Sequence, residues 1–238
     1  MDEGGGAGGA GGHGQPADEV GHPHDVFEGC ERFFRPGYRA SLVSTWLPAL
    51  DGVEAKLQAG SRVGDVGCGH GASTILMAEA YPQSTFVGID PHPPSVEAAR
   101  RQAAAAGLDD RVTFEVGTAK TFDGRFDLVC FFDSLHDMGD PGGACAHVHE
   151  ALDPDGTLML VEPFAGDRVE DNLNPVGAAY YAFSTLLCTP NSLSEEVGTA
   201  LGAQAGETRL AATVTSAGFS SCKRVAETPF NIVLEARP

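Results

Sequence analysis

The chain has 238 residues, 42% of them hydrophobic, which is enough to fill the core of one large domain or two small ones. Its 15 Lys and Arg stand against 33 Asp and Glu, a formal charge of -18 that repels nucleic-acid phosphates and anionic lipid surfaces. Six scattered cysteines without a CxxC pair, no long apolar run and no basic-then-apolar start argue for a cytoplasmic protein with reduced thiols, not a secreted or membrane-spanning one.

Residues 1–25 are Gly-rich and lack apolar periodicity, so they read as a disordered leader. His13, His22 and His24 lie in it without a rigid scaffold, and no metal site is expected there or elsewhere. Residues 26–60 read as an N-terminal helical cap. VFEGCERFFR (26–35) is a short amphipathic piece that needs a partner surface. A longer helical signal over 38–57 places Leu42, Val43, Trp46, Leu47 and Leu50 near one stripe, with Pro48 expected to kink or divide it.

From residue 61 the pattern alternates between strand and helix. Strands are expected over 62–66, 84–89, 111–116, 126–132 and 157–161, and helices over 72–79, 95–106 and 142–152. FDLVCFF (126–132) is almost continuously apolar, as a strand buried on both faces requires. The alternation predicts a mostly parallel sheet with helices on both sides. The rhythm breaks after Glu162, and residues 164–205 read as an insertion placed where open sheets carry lids and substrate walls. Its candidates for contact with a substrate are Phe164, Asn172, Asn174, Tyr180, Tyr181 and Phe183, although the aromatic ones would serve equally to pack a helix onto the sheet. Glu195 and Glu196 read as a solvated helix start. A helix near 207–217 and two antiparallel strands, 220–227 and 230–236, close the chain.

The chemical signal is VGDVGCGHG (63–71). Gly67, Gly69 and Gly71 lie between a predicted strand and a predicted helix, where a tight turn must admit positive φ and close approach of a ligand. Asp90 ends the next strand and can accept both hydroxyl hydrogens of an adenosine ribose. Residues 67–72 also satisfy the looser glycine pattern of nicotinamide-binding turns. Asp65 argues the other way, because an acid beside the turn suits a cationic amino group better than a pyrophosphate.

VGDVGCGHG, FVGID and FFDSLHDMGDP together resemble the signature regions of class I S-adenosylmethionine-dependent methyltransferases. VEPFAGDRVEDNLNP, STLLCTPNSLSEEVG, LGAQAGETRL and AETPFNIVLEARP resemble a bacterial small-molecule group that usually carries an N-terminal winged-helix domain, for which the leader is too short. The resemblance runs from about residue 26 to the end. It implies a Rossmann-like α/β fold, with a seven-stranded sheet whose last strand is antiparallel, and S-adenosyl-L-methionine as cofactor. It assigns Asp65, Gly67, Cys68, Gly69, Gly71, Asp90, Pro91, Thr118, Ala119, Phe132 and Asp133 to the cofactor. Thr118 stands where such enzymes often have an acid facing adenine.

Methyl transfer from a sulfonium is an in-line displacement, so the protein must align the acceptor, exclude water and remove a proton where needed. The LHD segment resembles that of O-methyltransferases whose histidine deprotonates a hydroxyl, which makes His136 the candidate base and Asp133 a second candidate at the reacting centre. Asp133, Asp137 or Glu162 could orient the imidazole. The expected acceptor is a hydroxyl on an aromatic or polycyclic metabolite, with no nucleic-acid or membrane partner and with a homodimer as one possible assembly. A non-catalytic cofactor-binding protein stays open. A nicotinamide oxidoreductase would need a YxxxK pair, and neither Tyr180 nor Tyr181 has a lysine four positions on.

Overall fold

A computed structural model describes residues 24–238. The expected leader lies outside the described residues except for its last two positions. Helix α1 (His24–Ser41) runs without a break through Pro36, continues as a π-helical turn (Leu42–Trp46) and ends in a short turn α2 (Leu47–Ala49). The two pieces read from the sequence are thus one rod. Pro48 does not divide it, because it falls just after the π-helical turn, one residue before the rod ends at Ala49. The break comes at Leu50, which is extended, and at Gly52 in the left-handed region before α3 (Val53–Ala59).

Then come β1 (Arg62–Val66), α4 (Ala72–Ala80), β2 (Thr85–Asp90), α5 (Pro93–Ala105), β3 (Val112–Val116), β4 (Phe126–Phe132), a 3-10 turn (Leu135–Asp137), α6 (Pro141–Ala151) and β5 (Leu152–Pro163). The insertion holds α7 (Pro175–Phe183), a π-helical turn (Ser184–Cys188) and α8 (Thr189–Ser194). The chain closes with α9 (Gly206–Ser216), β6 (Ser221–Glu227) and β7 (Asn231–Arg237). The sheet order is β3-β2-β1-β4-β5-β7-β6, with β7 antiparallel to both neighbours. This is the seven-stranded, mostly parallel architecture expected, with its last strand reversed. β5 is longer than read, because pairing resumes at Leu152 across an irregularity before the main register from Thr157.

Two apolar layers cover the sheet. One joins Trp46, Leu57, Met77, Phe86 and Leu128; the other joins Val66, Phe131, Val148, Leu160 and Leu234. Phe131 is fully buried on β4, between two parallel strands. Phe131→Ala is expected to destabilise the fold by about 3–5 kcal/mol, from lost transfer energy plus an unfilled cavity, measured by denaturant unfolding. The strand order reverses between β1 and β4, and the carboxyl ends of those two strands open the crevice where such sheets bind ligands.

Candidate active site

A cavity of about 910 Å³ lies over that crevice. Its floor is the turn after β1, one side is the end of β2, the other is the loop after β4, and α1 and the insertion form the roof. Gly67, Gly69 and Gly71 all have positive φ. At Gly69 an added Cβ would meet nothing within 4 Å, so this face of the turn is open backbone. At Gly71 the same atom would lie 2.6 Å from Phe114, so that glycine permits helix–sheet packing and lies off the cavity wall.

Asp90 is braced by two backbone donors. Its Oδ2 accepts the Gly69 N–H at 2.8 Å and its Oδ1 accepts the His92 N–H at 3.0 Å. Each oxygen keeps lone-pair capacity, so the held carboxylate can still accept two hydroxyls. Pro91, Thr118, Ala119, Cys68 and Phe132 line the same chamber. Thr118 is exposed, and its hydroxyl pairs with that of Thr121 at 2.9 Å. Asp65 sits beneath the turn and not on the cavity wall. Its Oδ2 accepts the hydroxyls of Ser73 and Thr74, both at 2.6 Å, while its Oδ1 is buried without a hydrogen-bond partner among the described residues.

A second wall is built around β4 and β5. Asp133 adopts φ of 50°, and its oxygens accept the Tyr38 hydroxyl at 2.7 Å and the Asn231 amide at 2.8 Å. His136 is buried, with Nδ1 2.5 Å from Oε2 of Glu162 and Nε2 3.2 Å from Oδ1 of Asp137. Glu162 is also buried, and its Oε1 accepts the Leu135 N–H at 3.0 Å. Since an ionised carboxylate only accepts, Nδ1 of His136 carries a proton. Glu162 therefore orients the ring, and Asp137 approaches its other nitrogen. Both carboxylates raise the imidazole well above its usual pKa, the Asp137 charge most, against the opposing effect of burial.

Burial, with the neighbouring Glu162 charge, pushes Asp133 up to about 8, and burial pushes Asp65 up to about 6. A carboxylate whose folded pKa is raised binds protons more tightly in the folded state. Stability therefore falls as pH rises between the unfolded and folded values. The cofactor-free protein is expected to lose melting temperature from pH 5 to pH 8, read by thermal unfolding across that range.

The structure separates the insertion candidates. Tyr180 and Phe183 line the cavity, and the Tyr180 hydroxyl donates to the Phe230 carbonyl at 2.7 Å. Phe164, Asn172, Asn174 and Tyr181 are not on its wall. Asn172 is buried and stitches its own loop, accepting from Gly166 N–H at 2.8 Å and donating to the carbonyls of Gly166 and Arg168, both at 3.0 Å. Asn174 caps α7 by accepting the Gly177 N–H at 2.9 Å. Glu195 follows the end of α8 instead of starting a helix, and its Oε2 accepts the Gly139 N–H at 2.9 Å. Ser192 donates to the Met138 carbonyl at 2.8 Å, so the insertion is latched to the loop carrying His136.

Several cavity residues had no motif to announce them. Tyr38 and Phe34 enter from α1, and Cys188 and Leu187 from the insertion. Glu31 of α1 reaches His70 of the glycine turn at 3.1 Å. The amphipathic spacing of residues 26–38 showed that α1 needed a surface, but not which one.

Residues 57–198 match the family described as a methyltransferase domain, more than half of the chain, and the protein belongs to that family. The nicotinamide reading falls with this match. Among curated relatives, the chain is 38% identical over 107 residues to 27-O-demethylrifamycin SV methyltransferase of Amycolatopsis mediterranei, covering 44% of this chain and 39% of that one. It is 30% identical over 138 residues to trans-aconitate 2-methyltransferase of Deinococcus radiodurans, covering 58% and 47%. Among solved structures, an O-methyltransferase family protein from Burkholderia thailandensis superposes with a TM-score of 0.65 at 21% identity, over 89% of this chain and 58% of that one. An O-methyltransferase from neocarzinostatin biosynthesis, solved with S-adenosyl-L-homocysteine and 1,4-dihydroxy-2-naphthoic acid, superposes at 0.63 and 17% identity, over 90% and 58%. The chain spans less than half the length of these curated relatives and about three fifths of these solved ones. Among the described residues no helix is long and apolar enough to cross a membrane.

Proposed function

We propose that this chain transfers a methyl group from S-adenosyl-L-methionine to a hydroxyl of an aromatic or polycyclic small molecule. The observation that carries the reading is one cavity lined both by an open glycine turn with a braced Asp90 and by His136, which is buried against Glu162. The open turn face at Gly69 fits the cofactor's bulk, and the unpartnered oxygen of Asp65, beneath the turn, would meet its cationic ammonium through a bridging water. Asp90 would take the ribose, Pro91, Thr118 and Ala119 would border the base, and Phe132 and Asp133 would flank the methionine end. When bound, the cofactor supplies an electrophilic methyl on a cationic leaving group.

The chain's own part is alignment and proton removal. Tyr180, Phe183 and Leu187 give an apolar wall for a flat acceptor, and His136 in its neutral form accepts the hydroxyl proton. The wall also carries Glu31, Asp90, Asp133, Asp137, Asp140, Glu195 and Glu196, while Lys120 pairs with Asp140 at 3.0 Å. That balance supports a neutral or cationic acceptor and argues against phosphate-bearing ones, nucleic acids included. The deciding experiment is calorimetry with S-adenosylhomocysteine, followed by a methyl-transfer screen of phenolic and polycyclic hydroxyl compounds. Micromolar binding and a methylated hydroxyl product are expected; no heat of binding would overturn the reading.

A further inference from the structure

Among the described residues, one group of three metal-ligating side chains gathers its donor atoms: His136, Asp137 and Cys188, all within 4.8 Å of one another. They come from the loop after β4 and from the π-helical turn of the insertion. The donors are an imidazole nitrogen, a carboxylate oxygen and a thiol, the mixture that suits zinc better than magnesium or calcium. His136 and Cys188 are buried and all three line the cavity, which leaves an open side for a fourth ligand. Two carboxylates, Asp137 and Glu162, flank the single imidazole, so the neighbourhood carries more negative than positive charge.

The strongest support is the other ring nitrogen. Glu162 holds Nδ1–H at 2.5 Å, which turns Nε2 toward Asp137 and Cys188. A carboxylate behind the ligating histidine is the usual outer-shell arrangement of a metal-bound imidazole, fixing the tautomer and raising its basicity. We infer that His136 Nε2, the Asp137 carboxylate and the Cys188 thiolate form a binding site for a zinc-class divalent cation at the acceptor end of the cavity. Because the cation takes the nitrogen assigned to proton removal, zinc and acceptor turnover are mutually exclusive, and that consequence rests on the proposed function above.

Cobalt(II) titration of the full chain tests the site without requiring turnover. The expected spectrum contains a thiolate-to-cobalt charge-transfer band in the near ultraviolet and visible bands of tetrahedral intensity, both bleached by zinc. Cys188→Ser should abolish the charge-transfer band, and Glu162→Gln should weaken zinc binding by about 10- to 100-fold. Calorimetry with S-adenosylhomocysteine on the same samples checks that each variant is folded and keeps the two readings apart. Protein that binds the nucleoside but shows no cobalt–thiolate band overturns the metal site alone, as does a band that survives Cys188→Ser. Protein that shows the band but fails to bind the nucleoside overturns the cofactor reading alone.

Discussion

Replacing His136 by alanine should cut turnover on a hydroxyl acceptor by about 10²- to 10⁴-fold, the usual contribution of a positioned base. Affinity for S-adenosylhomocysteine should stay within a few-fold, because the hydrogen bonds that brace Asp90 come from Gly69 and His92 and not from His136. The pH profile adds a second readout. Two carboxylates hold the imidazole protonated well above its usual range, so the neutral base appears only as pH rises. The rate should climb through a midpoint above the ordinary histidine value of about 6.5. Glu162→Gln removes one of the two charges and should move that midpoint to lower pH, while lowering the rate less than His136→Ala does. Glu162 acts through the imidazole and is a positioning residue. A profile unchanged by Glu162→Gln would mean that the pair has no part in proton removal.

The second large effect is expected at Asp90. Asp90→Ala removes the acceptor for two backbone N–H groups, those of Gly69 and His92, as well as the proposed ribose acceptor. Loss of charge-assisted hydrogen bonds should weaken cofactor binding by about 1–3 kcal/mol, roughly 5- to 150-fold in Kd. Thermal unfolding of the variant separates this loss from collapse of the turn. A folded variant with unaltered affinity would remove Asp90 from the cofactor site.

Much of the frame was legible from residue order. FDLVCFF reads as a strand covered on both faces, and Phe126–Phe132 is one. Gly67, Gly69 and Gly71 mark a turn between strand and helix, and all three have the positive φ that such a turn demands. The antiparallel closing pair followed from two apolar stretches separated by a tight turn at Thr228–Pro229. The insertion was less legible. Asn172 and Asn174 were read as groups that orient a substrate, yet both spend their polar atoms on their own backbone. A short amide side chain near a helix start finds local donors more readily than distant ligands.

Local periodicity determined the order of strands and helices, the place of the glycine turn and the acid that ends β2, because these depend on neighbours in the chain. Only the tertiary structure decided that Glu162 backs His136, that Tyr38 and Asn231 clasp Asp133 and that Cys188 meets the imidazole. Those partners lie 26 to 98 positions apart where hydrogen bonds join them. Their meeting depends on which helix is laid over which strand end, a matter of packing apolar faces that no short stretch of residues encodes.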